Sequence, residues 1–208
     1  MAKQLLLASA SPARKATLIS AGITPNIAVA DLDEDGLLAA NPGLTAAGQV
    51  ELLATAKASA IADELRASGN PLPTVVVGCD SMLEMHGQVV GKPRTAEVAR
   101  ERLRAMSGNP GDLHTGHCVI DLKTGQMGVG TSTTTVYIGE LTDAEIAAYI
   151  ATGEPMVVAG SFTIDGYGGP FVERIDGDHH GVVGISLPLL RTLLADLGHS
   201  ITEFWDER

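Results

Sequence analysis

The sequence predicts an α/β fold, a mixed twisted sheet flanked by helices, and three observations carry that prediction. Short apolar runs such as "LLLA" and "VVV" alternate with Ala-rich stretches of helical spacing. Gly, Pro, Asn and Asp punctuate almost every junction between them. No repeat or low-complexity tract interrupts the alternation, which is the pattern of helices layered on a sheet. The 208 residues suit one domain, 1–208, and a chain of that length buries about 70% of the surface its unfolded form exposes.

Residues 4–8 read as a strand. Ser11 and Pro12 open a helix to about residue 21, since serine caps an N-terminus and proline suits the first helical position; Gly22 closes it. A second strand over 23–30 runs into the acidic stretch Asp31-Leu32-Asp33-Glu34-Asp35. From 45 to 67, Val50, Leu53, Ala54, Ala58, Ile61 and Leu65 recur on one side of an amphipathic helix. "GNPLP" is a loop, and the β-branched "TVVVG" (74–78) is a buried central strand. "EMHGQVVGKP" reads as a hairpin, 95–107 as a helix capped by Thr95, and 113–122 and 128–138 as strands joined by a Lys-Thr-Gly-Gln turn. Leu141-Thr142-Asp143 begins another helix, ending near 150. The Gly-rich "GSFTIDGYGGP" leads to a strand over 171–175, the loop "DGDHHG" and a closing helix over 187–197.

Composition narrows the partners. Fourteen basic against 25 acidic residues give a net charge of −11, a surface that repels phosphate backbones, so nucleic-acid polymers are not expected partners. Three Phe, three Tyr and one Trp are too few for a base-stacking platform. A small anion remains compatible if a few cations gather in one pocket. The opening "KQLLLASASPARK" can be read as a secretory signal or as a strand turning into a helix. Its apolar run Leu5-Leu6-Leu7-Ala8 is shorter than the roughly 7–15 residues a signal needs. No stretch nears the ~20 apolar residues of a membrane span. A soluble, cytoplasmic chain is expected. Cys79 and Cys118 form no CxxC pair and fit a reducing compartment, Cys79 as a small core residue.

Three places share one design, a strand followed at once by polar or charged residues: Ser9-x-Ser11-Pro-x-Arg14, Asp80-Ser81 after "VVVGC", and Lys92 in "VVGKP". In open α/β sheets ligands bind beyond strand ends, where helix N-termini present unpaired N–H groups. Arg14 in a first helical turn opposes the helix dipole, which makes sense with an anion between them and otherwise reads as an exposed arginine. Asp80, following an apolar run, reads as a partly enclosed carboxylate with a job, against a strand-end cap or salt bridge. Lys57, among alanines on a long helix, reads as a solvated face. Asp176, Asp178, His179 and His180 could hold a metal, but Asp-Gly-Asp is ordinary turn chemistry, and the loop reading is preferred. His114 and His117 are three apart on a strand, point to opposite faces and cannot clamp one metal. No Gly-rich phosphate-loop motif is present.

Taken in order, "LLLASASPARKATL", "DLDED", "ATAKA", "VVVGCDSM", "VVGKPRT", "LRAMSGN", "GEPMVVAGSFTIDGYGGPFVERIDGD" and "VVGISLPLL" resemble the Maf family of nucleoside triphosphate pyrophosphatases over nearly the whole chain. The resemblance implies an inosine-triphosphatase-like fold of two lobes with a central cleft. It implies hydrolysis of a nucleoside triphosphate to the monophosphate and pyrophosphate with a divalent cation (Mg²⁺ or Mn²⁺), in a cytoplasmic homodimer that clears non-standard or modified nucleotides. The family's catalytic aspartate falls on Asp80, its first-motif serine on Ser9, and its phosphate-binding cations on Arg14, Lys57 and Lys92. The acidic residue after the second strand falls on Glu34, which would hold the metal with Asp80. Where the branch acting on uridine and thymidine triphosphates carries arginine, threonine and glutamine, this chain has Ala13, Ser81 and Asp165. The branch acting on 7-methylguanosine triphosphate also has an acidic residue at the third of these positions, so guanine-type bases are favoured over uracil or thymine. A nucleotide-binding regulator of cell division that does not hydrolyse is the alternative, disfavoured by a carboxylate set among three cations. An esterase using Ser9 or Ser11 lacks the G-x-S-x-G elbow.

Overall fold

A computed structural model of the chain describes residues 2–69, 73–93 and 95–207. Most of the loop expected at "GNPLP", residues 70–72, lies outside them. Among the described residues seven strands form one mixed sheet with seven α-helices around it. The strands are β1 (Leu5–Ala8), β2 (Asn26–Ala28), β3 (Val75–Met85), β4 (Gln88–Val90), β5 (Pro110–Asp121), β6 (Met127–Ile138) and β7 (Val172–Asp176). Their order is β2-β1-β3-β5-β6-β7, with β4 also paired to β3. No helix among the described residues is long and apolar enough to cross a membrane.

The first half of the sheet has helices on both faces. Helix α1 (Pro12–Ser20) starts where expected, with Ser11 accepting from the Arg14 N–H and Pro12 at the first position. With α7 (Leu187–Asp196) it covers the face formed by Leu5, Leu7, Val75, Val77, Cys79 and Val119. The opposite face (Leu6, Val76, Cys118 and Ile120) carries α3 (Ala46–Ser68) through Ala54, Ala58, Ile61 and Ala62. At the far end of β3, β5 and β6, a separate apolar cluster joins Leu83, Leu113 and Val136 to α4 (Ala96–Met106) and α5 (Asp143–Ala151). Alternating side chains of long strands thus serve two successive cores, and each core has its own helices.

Four elements differ from the sequence reading. β3 continues through Cys79, Asp80 and Ser81 to Met85 instead of ending at Gly78, because β5 pairs with it from Val75↔Asp121 to Glu84↔Asp112. That ladder overrides the weak strand preference of the polar residues. The acidic stretch contains a short helix, α2 (Glu34–Ala40), capped by Asp33. Within the expected loop "DGDHHG", Asp178 caps another, α6 (His179–Val183), by accepting from the N–H groups of His180 and Gly181. Both helices are too short to show an apolar period, although each is announced by a capping aspartate. The expected strand over 23–30 shrinks to three residues. The β3–β4 hairpin forms as read, its His86-Gly87 tip having positive φ at both residues, as the hairpin turn of matching twist requires.

Candidate active site

β1 and β4 pair with the same edge of β3, since β5 occupies the other along its length. β1 ends at Leu7↔Val77 and β4 begins at Leu83↔Val90. The β3 edge from Gly78 to Met82 therefore faces no strand among the described residues, and a cavity of about 1010 Å³ opens there. Asp80 and Ser81 sit at the middle of this gap. Asp80 is not at a strand tip; it is mid-strand, where a neighbouring strand is missing. This is the sheet's switch point, the place where open α/β sheets take ligands.

On the α3 face, two glycines let the helix approach the sheet closely. A Cβ on Gly78 would collide with the Ala54 carbonyl and come 2.9 Å from the Ala58 nitrogen, and one on Gly116 would meet the Val50 carbonyl. Gly116 is the β5 partner of Asp80. The close approach carries Lys57, between Ala54 and Ala58, onto Asp80: Nζ is 2.6 Å from Asp80 Oδ1 and 2.9 Å from Oε1 of Glu34, the first residue of α2. The Lys57 and Asp80 side chains are 14% and 13% exposed, so the lysine is not on a solvated face. An enclosed charge needs a partner of this kind. Each carboxylate gives one oxygen to Lys57 and keeps the other for the cavity.

On the opposite face Arg14 is held, among the described residues, by three acceptors and no carboxylate. Its Nε donates to the Gly184 carbonyl (2.7 Å), Nη1 to Ser9 Oγ (3.0 Å) and Nη2 to Ser81 Oγ (3.0 Å). Thr115, paired with Ser81 across the ladder, donates its only proton to the Gly181 carbonyl, so the Ser81 hydroxyl, 2.9 Å away, must donate to Thr115. Ser81 is left with an acceptor lone pair for any ligand. Ser9 Oγ accepts from both Arg14 and the Ser11 N–H (3.2 Å), which leaves its proton to point into the cavity.

All nine residues singled out from the sequence line this one cavity: Ser9, Ala13, Arg14, Glu34, Lys57, Asp80, Ser81, Lys92 and Asp165. Lys92 is exposed just past β4. Asp165 is exposed in the Gly-rich segment, which Glu154 organises by accepting from Tyr149 Oη (2.9 Å), Thr163 Oγ1 (2.5 Å) and the N–H groups of Tyr167 and Gly168. Cys79 points away from Asp80 into the core, and burial pushes its thiol up to about 12, so it remains a protonated core residue. His117 faces α7 and His114 the other side, where it meets Glu84 and Thr133. Sequence reasoning missed Thr115, Glu154 and Arg102; the last also lines the cavity. None carries a local signal, because what matters at each is a neighbour distant in sequence.

A cleft that sets a carboxylate pair and several cations around one gap in the sheet defines an α/β protein with a charged cavity at its centre. The chain belongs to the Maf-like protein family, whose model matches residues 4–197. It is 50% identical over 203 residues to a nucleoside triphosphate pyrophosphatase of Streptomyces coelicolor, covering 98% of this chain and 95% of that one. A protein of the same name from Nocardia farcinica is 48% identical over 99% of this chain and 98% of its own length. One from Nostoc punctiforme is 44% identical over 96% of each.

Proposed function

We propose that this chain hydrolyses a nucleoside triphosphate to the nucleoside monophosphate and pyrophosphate, and that Asp80 is its catalytic residue. The observation that carries the reading is Lys57 bridging Asp80 and Glu34 inside a cavity that Arg14 and Lys92 also line. Arg14, Lys57, Lys92, the Ser9 hydroxyl and the N-terminus of α1 would lie along the triphosphate, since catalysis of this transfer rests mainly on positioning and charge. Asp80 would take the proton of the attacking water, or hold it in line, through its remaining oxygen.

The donor set fits Mg²⁺ or Mn²⁺: two carboxylates, from Asp80 and Glu34, are the hard oxygen ligands such ions take together with substrate phosphates. When bound, the cation would lower the pKa of the attacking water and offset charge on the phosphates. The same reading takes the protein as a cytoplasmic homodimer of one domain, with no nucleic-acid polymer as partner, that removes non-standard or modified nucleotides.

Base choice is assigned to Asp165, with Ala13 beside it. A carboxylate only accepts, so it complements the adjacent ring N–H and amino donors of guanine, whereas the alternating edge of uracil suits an amide. Such a pair of hydrogen bonds discriminates by about 1–3 kcal/mol. Pyrophosphate release across a nucleotide panel with Mg²⁺ or Mn²⁺ tests both assignments. Asp80→Asn should lose about 10²–10⁴-fold in rate while remaining folded; an active Asp80→Asn protein removes it from the chemistry and favours a nucleotide-binding regulator. Asp165→Gln should shift preference from guanine-type toward uracil-type triphosphates, and wild-type enzyme that prefers UTP and dTTP overturns the base assignment.

A further inference from the structure

Helix α4 carries three arginines with described side chains, and they face different surroundings. Arg104 pairs with Asp143 at 2.8 Å on the surface. Arg100 is not among the residues lining the cavity. Arg102 is half-buried, lines the cavity beneath the β3 gap, and makes no ion pair with any described residue. Its Nη1 donates to the Gly91 carbonyl at 2.5 Å, which fixes the backbone just before Lys92. A guanidinium has five N–H donors and a fixed fork, and a single carbonyl satisfies one of them.

A partly desolvated cation with no carboxylate of its own is costly unless an anion completes it. Burial accordingly pulls the Arg102 pKa down. Among the described residues lining the cavity, none of the carboxylates of Glu34, Asp35, Asp80 and Asp165 makes an ion pair with it, and those of Asp80 and Glu34 each give an oxygen to Lys57.

We propose that Arg102 is a fourth cation of the triphosphate site, binding a phosphate oxygen with the donors that Gly91 leaves unused and steadying Lys92 beside it. This rests on the pyrophosphatase reading of the cavity. Lysine could not do both jobs: one ammonium cannot hold the carbonyl and grip a phosphate with a planar fork.

The test compares full-length wild type, Arg102→Gln, Arg102→Lys and Arg14→Gln. Four quantities are measured for each: KM and kcat for a nucleoside triphosphate the wild type hydrolyses, the inhibition constant of inorganic tripolyphosphate, and Tm. Tripolyphosphate isolates the anion from the base. Arg102→Gln should weaken tripolyphosphate and raise KM about tenfold or more, with Tm essentially unmoved, and Arg102→Lys should recover part of the loss. An unchanged inhibition constant in Arg102→Gln overturns the assignment. So does a result in which Lys is as poor as Gln and both lower Tm, which marks Arg102 as a clamp on Gly91 alone. If Arg14→Gln weakens tripolyphosphate and Arg102→Gln does not, only Arg102 is wrongly placed. Should neither variant change it, or should tripolyphosphate not inhibit the wild type, the cavity is not the triphosphate site and the wider reading fails as well.

Discussion

Ser161 is the one described residue whose buried side-chain oxygen has no hydrogen-bond partner, and its backbone lies in the left-handed region at φ 63°. Both features are unfavourable. A left-handed L-residue costs roughly 1–2 kcal/mol, and an unpaired buried hydroxyl about 1–3 kcal/mol. Glycine at this position would remove both at a cost of about 0.5–1 kcal/mol in unfolded-state entropy. Ser161→Gly should therefore stabilise the fold by at least about 1 kcal/mol, a rise in Tm of about 2–4 °C or more for a chain of this size. Thermal unfolding checks it; a lower Tm would mean that the hydroxyl is satisfied by water or by a ligand. Because Ser161 immediately precedes Phe162, Thr163, Ile164 and Asp165, which line the cavity, its strain is located where a functional site would store it.

At the scale of elements, the site depends on how near α3 comes to the sheet. A methyl group on Gly78 meets the backbone of Ala54 and Ala58, which cannot rotate aside, so the helix must retreat. Lys57 belongs to that same turn and would leave Asp80 with it. Gly78→Ala should thus lose about 1–3 kcal/mol of stability by overpacking and most of its activity together, whereas Asp80→Asn loses activity alone. Urea unfolding and pyrophosphate release on the two variants separate these outcomes, and a fully stable, active Gly78→Ala protein would show that the close approach is not needed. The apolar positions of α3 were legible from their 3.6-residue period, as were the caps at Ser11 and Thr95; Thr45 and Thr142 also cap their helices. What the period could not show is where the other face of the helix points. Lys57 read as solvated because Asp80 and Glu34 approach it from segments 23 residues apart or more in sequence. The gap in the β3 edge was equally invisible, since it arises from where β1 stops and β4 starts; the strand-end pattern pointed to Ser9, Arg14, Asp80, Ser81 and Lys92 around it, whereas Ala13, Glu34, Lys57 and Asp165 came from the family motifs.

The whole molecule joins an acidic surface to a few acid-sensitive internal contacts. Its ends are tied together near the first strand: Lys3 Nζ meets Glu203 and His199 Nδ1 at 2.9 Å, and His199 Nε2 donates to buried Asp121 at 2.7 Å. At the centre, His117 donates from Nδ1 to the Thr115 carbonyl and accepts the Ser186 N–H on Nε2, joining β5 to the start of α7. Only a neutral ring can do this. Burial, partly opposed by the Thr115 hydrogen bond, lowers its pKa from 6.5 to about 4. Above pH 6.5 neither state binds the proton and the full stability is present; between 6.5 and 4 the unfolded chain takes up a proton that the native ring refuses. Stability should fall by about 3 kcal/mol across that window. Asp121 and Glu154 extend the loss. Burial raises both carboxyls, but hydrogen bonds to the ionised forms outweigh it and leave each below its ordinary value. What they contribute is present above the unfolded carboxylate values and lost as pH falls through the depressed native ones. Acidification also discharges a surface of net charge −11, which relieves self-repulsion and works the other way, so the wild-type curve alone mixes two effects. His117→Gln separates them because glutamine cannot titrate. Urea unfolding from pH 7 to pH 4.5 should show wild-type stability falling relative to the variant by up to about 1.4 kcal/mol per pH unit. Parallel curves for the two proteins would mean that His117 carries its proton in the folded state and that the β5–α7 contact is made another way.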